Sequence, residues 1–389
     1  MGVAAFHATT PSINKKLPDG KKKLYSEEVC NMPEQTIMAA AVQGSQNHAG
    51  TAASPIKVCN MAAYYNRQFA EDVADFKNSG KIQSGYSNID AITKLYPGLY
   101  VIGAVPSLGK TTFIHQMGEQ IAESGTHVLF FSFEQSILEL ASKSIARSIA
   151  RENTSNGMSS LEIRKSDLSN PCIVSAVERC RAYSDRITVI ECSFRATIGD
   201  ITNIVNEYIE QNKVKPVVII DYLQVIQPMP ESRMTTKDLT DYHVQRLKEL
   251  QADCQITMIV ISSFNRQNYI ATADYESFKE SGGIEYTADV IWALQLQCIT
   301  EEAFCKLSNI TEKRKKYKEV KSEIPRKIEL VCLKNRFEPS GYSCLFDYYP
   351  NQDWFRPDTA ELNTNYIGTM NERTDGFSAV PDDEELPWS

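Results

Sequence analysis

Eight consecutive residues, Ala-Val-Pro-Ser-Leu-Gly-Lys-Thr from Ala104 to Thr111, have the types and order of a phosphate-binding loop. Between a strand and a helix, such a loop aims successive backbone N–H groups and a helix N-terminus at phosphate oxygens. In this reading Ala104, Pro106, Ser107, Leu108, Gly109 and Thr112 form or flank the cradle, with Ala104 replacing the first Gly of the general pattern. Lys110 reaches the β- and γ-phosphates of a nucleoside triphosphate such as ATP, and the Thr111 hydroxyl ligates Mg²⁺. Downstream, the apolar run Pro-Val-Val-Ile-Ile ends in Asp221. A carboxylate there suits coordination of the same Mg²⁺; the competing reading is a helix-capping Asp. A third apolar run, Val-Leu-Phe-Phe-Ser-Phe, delivers Glu134, placed to orient and deprotonate an attacking water, or else to sit solvated at a helix start.

These residues need strands that end together. From Ile82 onward, short apolar runs alternate with helical patterns: Leu99–Gly103 then Thr111–Glu123, Val128–Ser132 then Ile137–Arg151, Thr188–Cys192 then Ile198–Asn212, Val217–Ile220 then Leu239–Cys254, and finally Thr257–Ile261. The alternation predicts an α/β fold, a mostly parallel sheet with helices on both faces. Its strands read as continuous apolar runs because both faces are covered. Val290–Leu296, Lys327–Lys334 and Tyr342–Tyr348 add β-rich segments, the last two forming a C-terminal hairpin across Phe337–Gly341. Before the sheet, Tyr65, Phe69, Val73 and Phe76 recur at helical spacing within Ala62–Asn78, predicting one amphipathic helix and placing a linker at 61–81. Residues 1–60 show no sustained period and read as disordered, 82–356 as the catalytic domain and 357–389 as an acidic tail.

Length and composition fit this layout. At 389 residues, 42% hydrophobic and 23% charged, the chain has the values of a globular protein. No apolar run approaches the ~18 residues that cross a bilayer, and no signal peptide precedes the domain, so the expected location is the cytoplasm, without membrane contact. Ten Cys lack metal-ligand spacing and read as free thiols. The net charge of −8 argues against a general nucleic-acid binder, yet Arg356–Ser389 alone carries 8 acids against 2 bases. Within the rest, Lys306–Lys327 holds 9 bases against 3 acids, reading either as a solvated helix or as a local contact for a phosphate backbone.

Seven blocks in order carry a resemblance. Gly85–Asp90, the loop with Pro106 and Ser107, Ser132–Glu134, Ile220–Gln224, Ser262–Arg266, Glu280–Glu285 and Lys334–Arg336 resemble the RecA-like motor domain of DnaB-type replicative helicases, over about Ile82 to Phe355. The resemblance implies a hexamer, a homo-oligomeric ring hydrolysing ATP at subunit interfaces and translocating on single-stranded DNA. Lys110, Thr111, Glu134 and Asp221 would act from one subunit. Lys334 and Arg336, which on their own read as surface charges, would reach the neighbour's γ-phosphate, with Arg336 as arginine finger. Arg336 is expected on the far edge of the sheet, with no other Arg within the phosphate-loop, Glu134 or Asp221 segments as an obvious donor in cis. DNA would contact the segment of Lys279, Glu280 and Gly282.

Ser263 departs from the family's usual Gln, too short for the same γ-phosphate contact. Residues 1–60 lack the pattern of the family's N-terminal collar, which suggests a phage or mobile-element type. Glu301–Pro325 looks like an insertion. Expected partners are a primase, a loader or a single-strand-binding protein; the acidic tip with Leu386, Pro387 and Trp388 resembles the partner-recruiting tip of bacterial single-strand-binding proteins. The alternative function is a RecA-fold recombination or repair ATPase that remodels DNA without processive unwinding.

Overall fold

The computed structural model describes residues 60–79, 82–153, 155, 157–227, 235–265, 269–278 and 282–358. The readings made on residues 1–59, on Arg266, on Lys279 and Glu280, and on the tail beyond Asp358 lie outside these. The chain divides into two units, residues 1–67 and 68–389. In the first, helix α1 (Met61–Arg67) starts at Asn60, whose side-chain oxygen accepts from the N–H groups of Ala62 and Ala63 at 2.9 and 3.2 Å. The second begins with α2 (Phe69–Ser79). The single helix expected over 62–78 is therefore two, separated by a turn at Gln68, whose side-chain amide donates to the carboxylates of Glu71 and Asp72. In α2, Phe76 stacks on Tyr96 at 5.1 Å.

Nine strands among the described residues form one sheet: β1 (Gly98–Ala104), β2 (Val128–Ser132), β3 (Ile187–Glu191), β4 (Val217–Asp221), β5 (Thr257–Ser263), β6 (Val290–Leu296), β7 (Arg326–Asn335), β8 (Ser343–Tyr349) and β9 (Trp354–Pro357). Their spatial order is β3-β2-β4-β5-β1-β6-β7-β8-β9; β1 to β6 run parallel and β7 to β9 antiparallel. The longer helices are α3 (Lys110–Glu123), α4 (Ile137–Glu152), α5 (Pro171–Arg181), α6 (Ile198–Asn212), α7 (Thr236–Cys254), α8 (Gly282–Thr287) and α9 (Ile310–Ser322). Every residue of β1, β2, β4 and β6 is buried, as strands covered on both faces require. Reciprocal side-chain and backbone caps fix the starts of α4 (Ser136 with Glu139), α6 (Thr197 with Asp200) and α7 (Thr235 with Asp238).

Two close approaches hold the β1 end of the site in place. A Cβ on Gly103 would meet the rings of Phe264 and Phe278 at 2.4 Å, so only glycine lets this aromatic pair cover the strand. Helix α3 buries Phe113, Ile114, Met117 and Ile121, each removal from water contributing about 1.5–3 kcal/mol. On its other side a buried polar chain links α3 to α4 and β9. The Arg147 guanidinium, 2% exposed, pairs with Glu119, donates to the Asp353 carbonyl at 2.6 Å and lies 3.2 Å from His115 Nδ1. Burial holds the His115 imidazole down at about 4, hence neutral at pH 7. Arg147→Ala strands the Glu119 carboxylate in the interior and should cost about 3–5 kcal/mol, read as a drop in urea midpoint.

Candidate functional site

The phosphate loop lies where β1 ends. Ala104 closes the strand, Ser107 takes a left-handed φ of 63°, and Gly109, at φ 88°, precedes α3. Gly109 is needed twice, for that φ and because a Cβ would meet the Tyr348 ring at 2.8 Å. Lys110 Nζ donates to the carbonyls of Ala104 and Val105 at 3.1 and 3.4 Å, so the loop itself holds the ammonium until a phosphate arrives. Burial lowers its pKa to about 8, with Asp221 and Glu134 pulling the other way. Leu108 is buried under the loop. Thr112 is turned inward: its hydroxyl donates to Asp353 at 3.3 Å and accepts from Lys143 Nζ at 3.0 Å.

Asp221 ends β4, next to β2, and Glu134 follows β2 by two residues, so both carboxylates reach the same sheet end as Lys110. All three line one cavity of about 620 Å³ with Ser107, Thr111, Gln135, Lys143, Ser263, Arg326 and Tyr348. Three of the residues around it carry polar atoms that are buried without a hydrogen-bond partner: Asp221 Oδ2, Gln135 Oε1 and Arg326 Nε. The bare Asp221 oxygen beside the Thr111 hydroxyl is the donor set of a hard, oxygen-seeking cation that keeps most of its ligands from water and phosphate. Among the described residues no group of three His, Cys, Asp or Glu could hold a metal alone.

Burial pushes the Asp221 carboxyl up to about 6, opposed by Thr111, Lys110 and Lys143 and reinforced by Glu134. A folded-state pKa above the unfolded value means that this group favours folding below about pH 4 and costs stability as pH rises through 6. Asp221→Asn should therefore stabilise the nucleotide-free protein at pH 7.5 by ~1–3 kcal/mol and do so much less at pH 4.5; thermal midpoints at the two pH values check this.

Arg336 stands elsewhere. The register Tyr100↔Val290↔Asn335 puts it beside the start of β1, whereas the loop is at the end. Strand β7 has ten residues, Arg326–Asn335, so at about 3.3 Å each its two ends lie roughly 30 Å apart. There Arg336 pairs with Asp289 at 3.2 Å and donates to the Tyr286 carbonyl at 3.0 Å, while Lys334 Nζ donates to the Glu285 carbonyl at 2.6 Å. One expectation needs correcting. Arg336 is not at the sheet edge, since β8 and β9 lie outside β7; it is the strand direction, not the edge, that keeps it from its own phosphates. Outside the phosphate-loop, Glu134 and Asp221 segments, Arg326, at the opposite end of β7, donates to the Ser107 carbonyl at 3.0 Å and lies 5.6 Å from the Tyr348 ring.

Lys143, Arg326, Tyr348 and Asp353 were not singled out from the sequence. The observed register sets Arg326 opposite Tyr348, and which end of the hairpin meets the phosphate loop depends on β7 running antiparallel to β6. Ser263 lines the cavity at the end of β5; the chain continues through Phe264, in T-shaped contact with Phe278 at 5.1 Å, and Asn265, which donates to the carbonyls of Glu276 and Phe278. Of the three residues expected at DNA, Gly282 starts α8, where the neighbouring Gly283 N–H donates to Asp241 at 2.9 Å.

A parallel sheet carrying a phosphate loop, two strand-end carboxylates at one cavity and an antiparallel extension defines a RecA-like nucleotide-binding fold. The chain belongs to the DnaB-like helicase C-terminal domain family, whose model matches residues 81–348. It is 27% identical over 288 residues to the replicative DNA helicase DnaB of Buchnera aphidicola subsp. Baizongia pistaciae, covering 70% of this chain and 58% of that one. With Haemophilus influenzae DnaB it shares 27% over 221 residues, 54% of this chain and 45% of the relative. The chain thus spans about half the length of the curated relatives it matches. In fold it is similar to a solved ATPase domain (TM-score 0.62, 17% identity, 77% of this chain and 99% of that one) and to a DnaB-like replicative helicase described with its interactions with primase (TM-score 0.60, 16% identity, 76% and 69%). Among the described residues no helix is long and apolar enough to cross a membrane.

Proposed function

We propose that this protein is an ATP-driven, homo-hexameric helicase motor that translocates on single-stranded DNA during replication. The observation that carries the reading is the split placement of its chemistry: Lys110, Thr111, Asp221 and Glu134 share one cavity, while Arg336 stands at the other end of the sheet, exposed and usable only by a neighbour. A single subunit so built has half a site, and a ring completes it.

In this mechanism the loop N–H groups and Lys110 hold the β- and γ-phosphates, with the Ala104 and Val105 carbonyls releasing the ammonium to them. Thr111 and Asp221 would hold Mg²⁺, which when bound screens phosphate charge. Glu134, beside the cavity, accepts the proton of the attacking water. Arg336 of the adjacent subunit, oriented by Asp289 and flanked by Lys334, stabilises charge on the transferring phosphoryl group. DNA occupies the segment of Lys279, Glu280 and Gly282, and the contacts of Phe264 and Asn265 with Glu276 and Phe278 support a mechanical link between cavity and DNA. We also retain primase, loader or single-strand-binding protein as partners, recruited by the acidic tail.

The test is strand displacement on a forked duplex. ATP-dependent unwinding accompanied by six-fold rings in negative-stain images is expected. DNA-stimulated hydrolysis without displacement would point instead to the remodelling ATPase, and Lys110→Ala should abolish tight nucleotide binding in either case.

A further inference from the structure

Helix α9 is 13 residues with six basic side chains and two acidic ones, on a chain of net charge −8. Tyr317 and Val320 are buried toward the sheet and fix its orientation. On the solvent side the charges separate by helical spacing. Glu312 and Glu319 each lie three or four residues from Lys315 and Lys316, which they compensate. Arg314, Lys318 and Lys321 recur at i, i+4 and i+7 and form a stripe with no acid within it. Most arginines of the described fold are ion-paired, among them Arg147, Arg151, Arg164, Arg179, Arg181, Arg246, Arg336 and Arg356, whereas Arg314 and Lys318 make no ion pair with described residues. The stripe also has a direction. Lys321 Nζ donates to the Pro106 carbonyl at 2.9 Å and Arg326 to the Ser107 carbonyl, so its inner end is bonded to the phosphate loop.

We infer that the Arg314–Lys318–Lys321 stripe binds the phosphodiester backbone of DNA, as a contact additional to the segment around Gly282, and that the Lys321 bond to Pro106 ties that contact to the nucleotide site. Cations at this spacing with no acid between them match a linear polyanion, and each phosphate they neutralise releases counterions. The inference rests on the helicase reading for its choice of polyanion.

The experiment is fluorescence anisotropy of a labelled oligo-dT and a labelled fork with the full chain, titrated from 50 to 200 mM salt. The double variant Arg314→Gln/Lys318→Gln should lower the slope of log K against log salt by ~1.5 units, about 0.7–0.9 per lost contact, and weaken binding on the order of tenfold or more at 50 mM salt. Nucleotide binding without DNA should not change. Arg314→Lys/Lys318→Arg, which keeps the charge, should keep the slope. An unchanged slope in the Gln variant, or an equal loss in the charge-retaining one, overturns the inference while leaving the helicase reading intact. So does capture of an Asp382–Ser389 peptide by the wild type but not by the Gln variant with DNA binding unaffected, which would make the stripe a protein-docking face. Failure of the wild type to bind either DNA at all overturns both.

Discussion

Replacing Arg336 with Ala should lower ATP hydrolysis by ~10³–10⁵-fold while nucleotide binding to the same subunit stays near wild type. The size follows from the charge that develops on the transferring oxygens, and the separation of binding from turnover follows from distance. Two other cations do line the cavity in cis, but both are engaged: Lys143 with Asp353 at 3.2 Å and the Thr112 hydroxyl, Arg326 with the Ser107 carbonyl and the Tyr348 ring. Mixing Arg336→Ala with Lys110→Ala subunits should restore part of the activity, because an intact loop then meets an intact finger across one kind of interface. Mixed rings that exchange subunits but stay as inactive as either parent would show that Arg336 does not act in trans. Normal turnover by Arg336→Ala alone would remove it from the chemistry.

Glu134→Gln should reduce kcat by ~10²–10⁴-fold with nucleotide affinity preserved, since an amide keeps the shape and loses the proton acceptor. The other duty open to a carboxylate here, capping the following helix, is already filled. Ser136 and Glu139 satisfy each other's N-terminal groups at α4, and Glu191 accepts from the Ile137 N–H at 2.5 Å. Glu134 is exposed at the cavity mouth, where water has access. Single-turnover hydrolysis with a fluorescent nucleotide separates the two steps, and a Gln variant that turns over at the normal rate would assign the base elsewhere.

The parallel strands were readable because burial on both faces forces continuous apolar runs, and β2, β6 and α6 have the bounds that the pattern predicts. The loop was readable because its chemistry is local, set by eight adjacent residues. What escaped was non-local. Lys143 lies on a helix with four other charged residues, and nothing within α4 says that it faces Asp353, 210 positions later. Strand β9 is four residues long, too short for a period, and it is held by pairing with β8 and by Phe355, which exchanges both backbone hydrogen bonds with the Gln116 carboxamide. Arg326 was hidden for the opposite reason: in a run of basic residues, one cation that lines a site looks like the rest.

The pairing of β9 with α3 also sets an order of events during synthesis. The loop, Glu134 and Asp221 are all made before residue 222, yet Thr112, Lys143 and Gln116 reach their final partners only when Asp353 and Phe355 have left the ribosome. Until then the nascent chain has the nucleotide loop without the strand that braces its helix. The braced form of the loop and its helix therefore first exists at the last stage of translation of the domain, when nearly all of the sheet has been made.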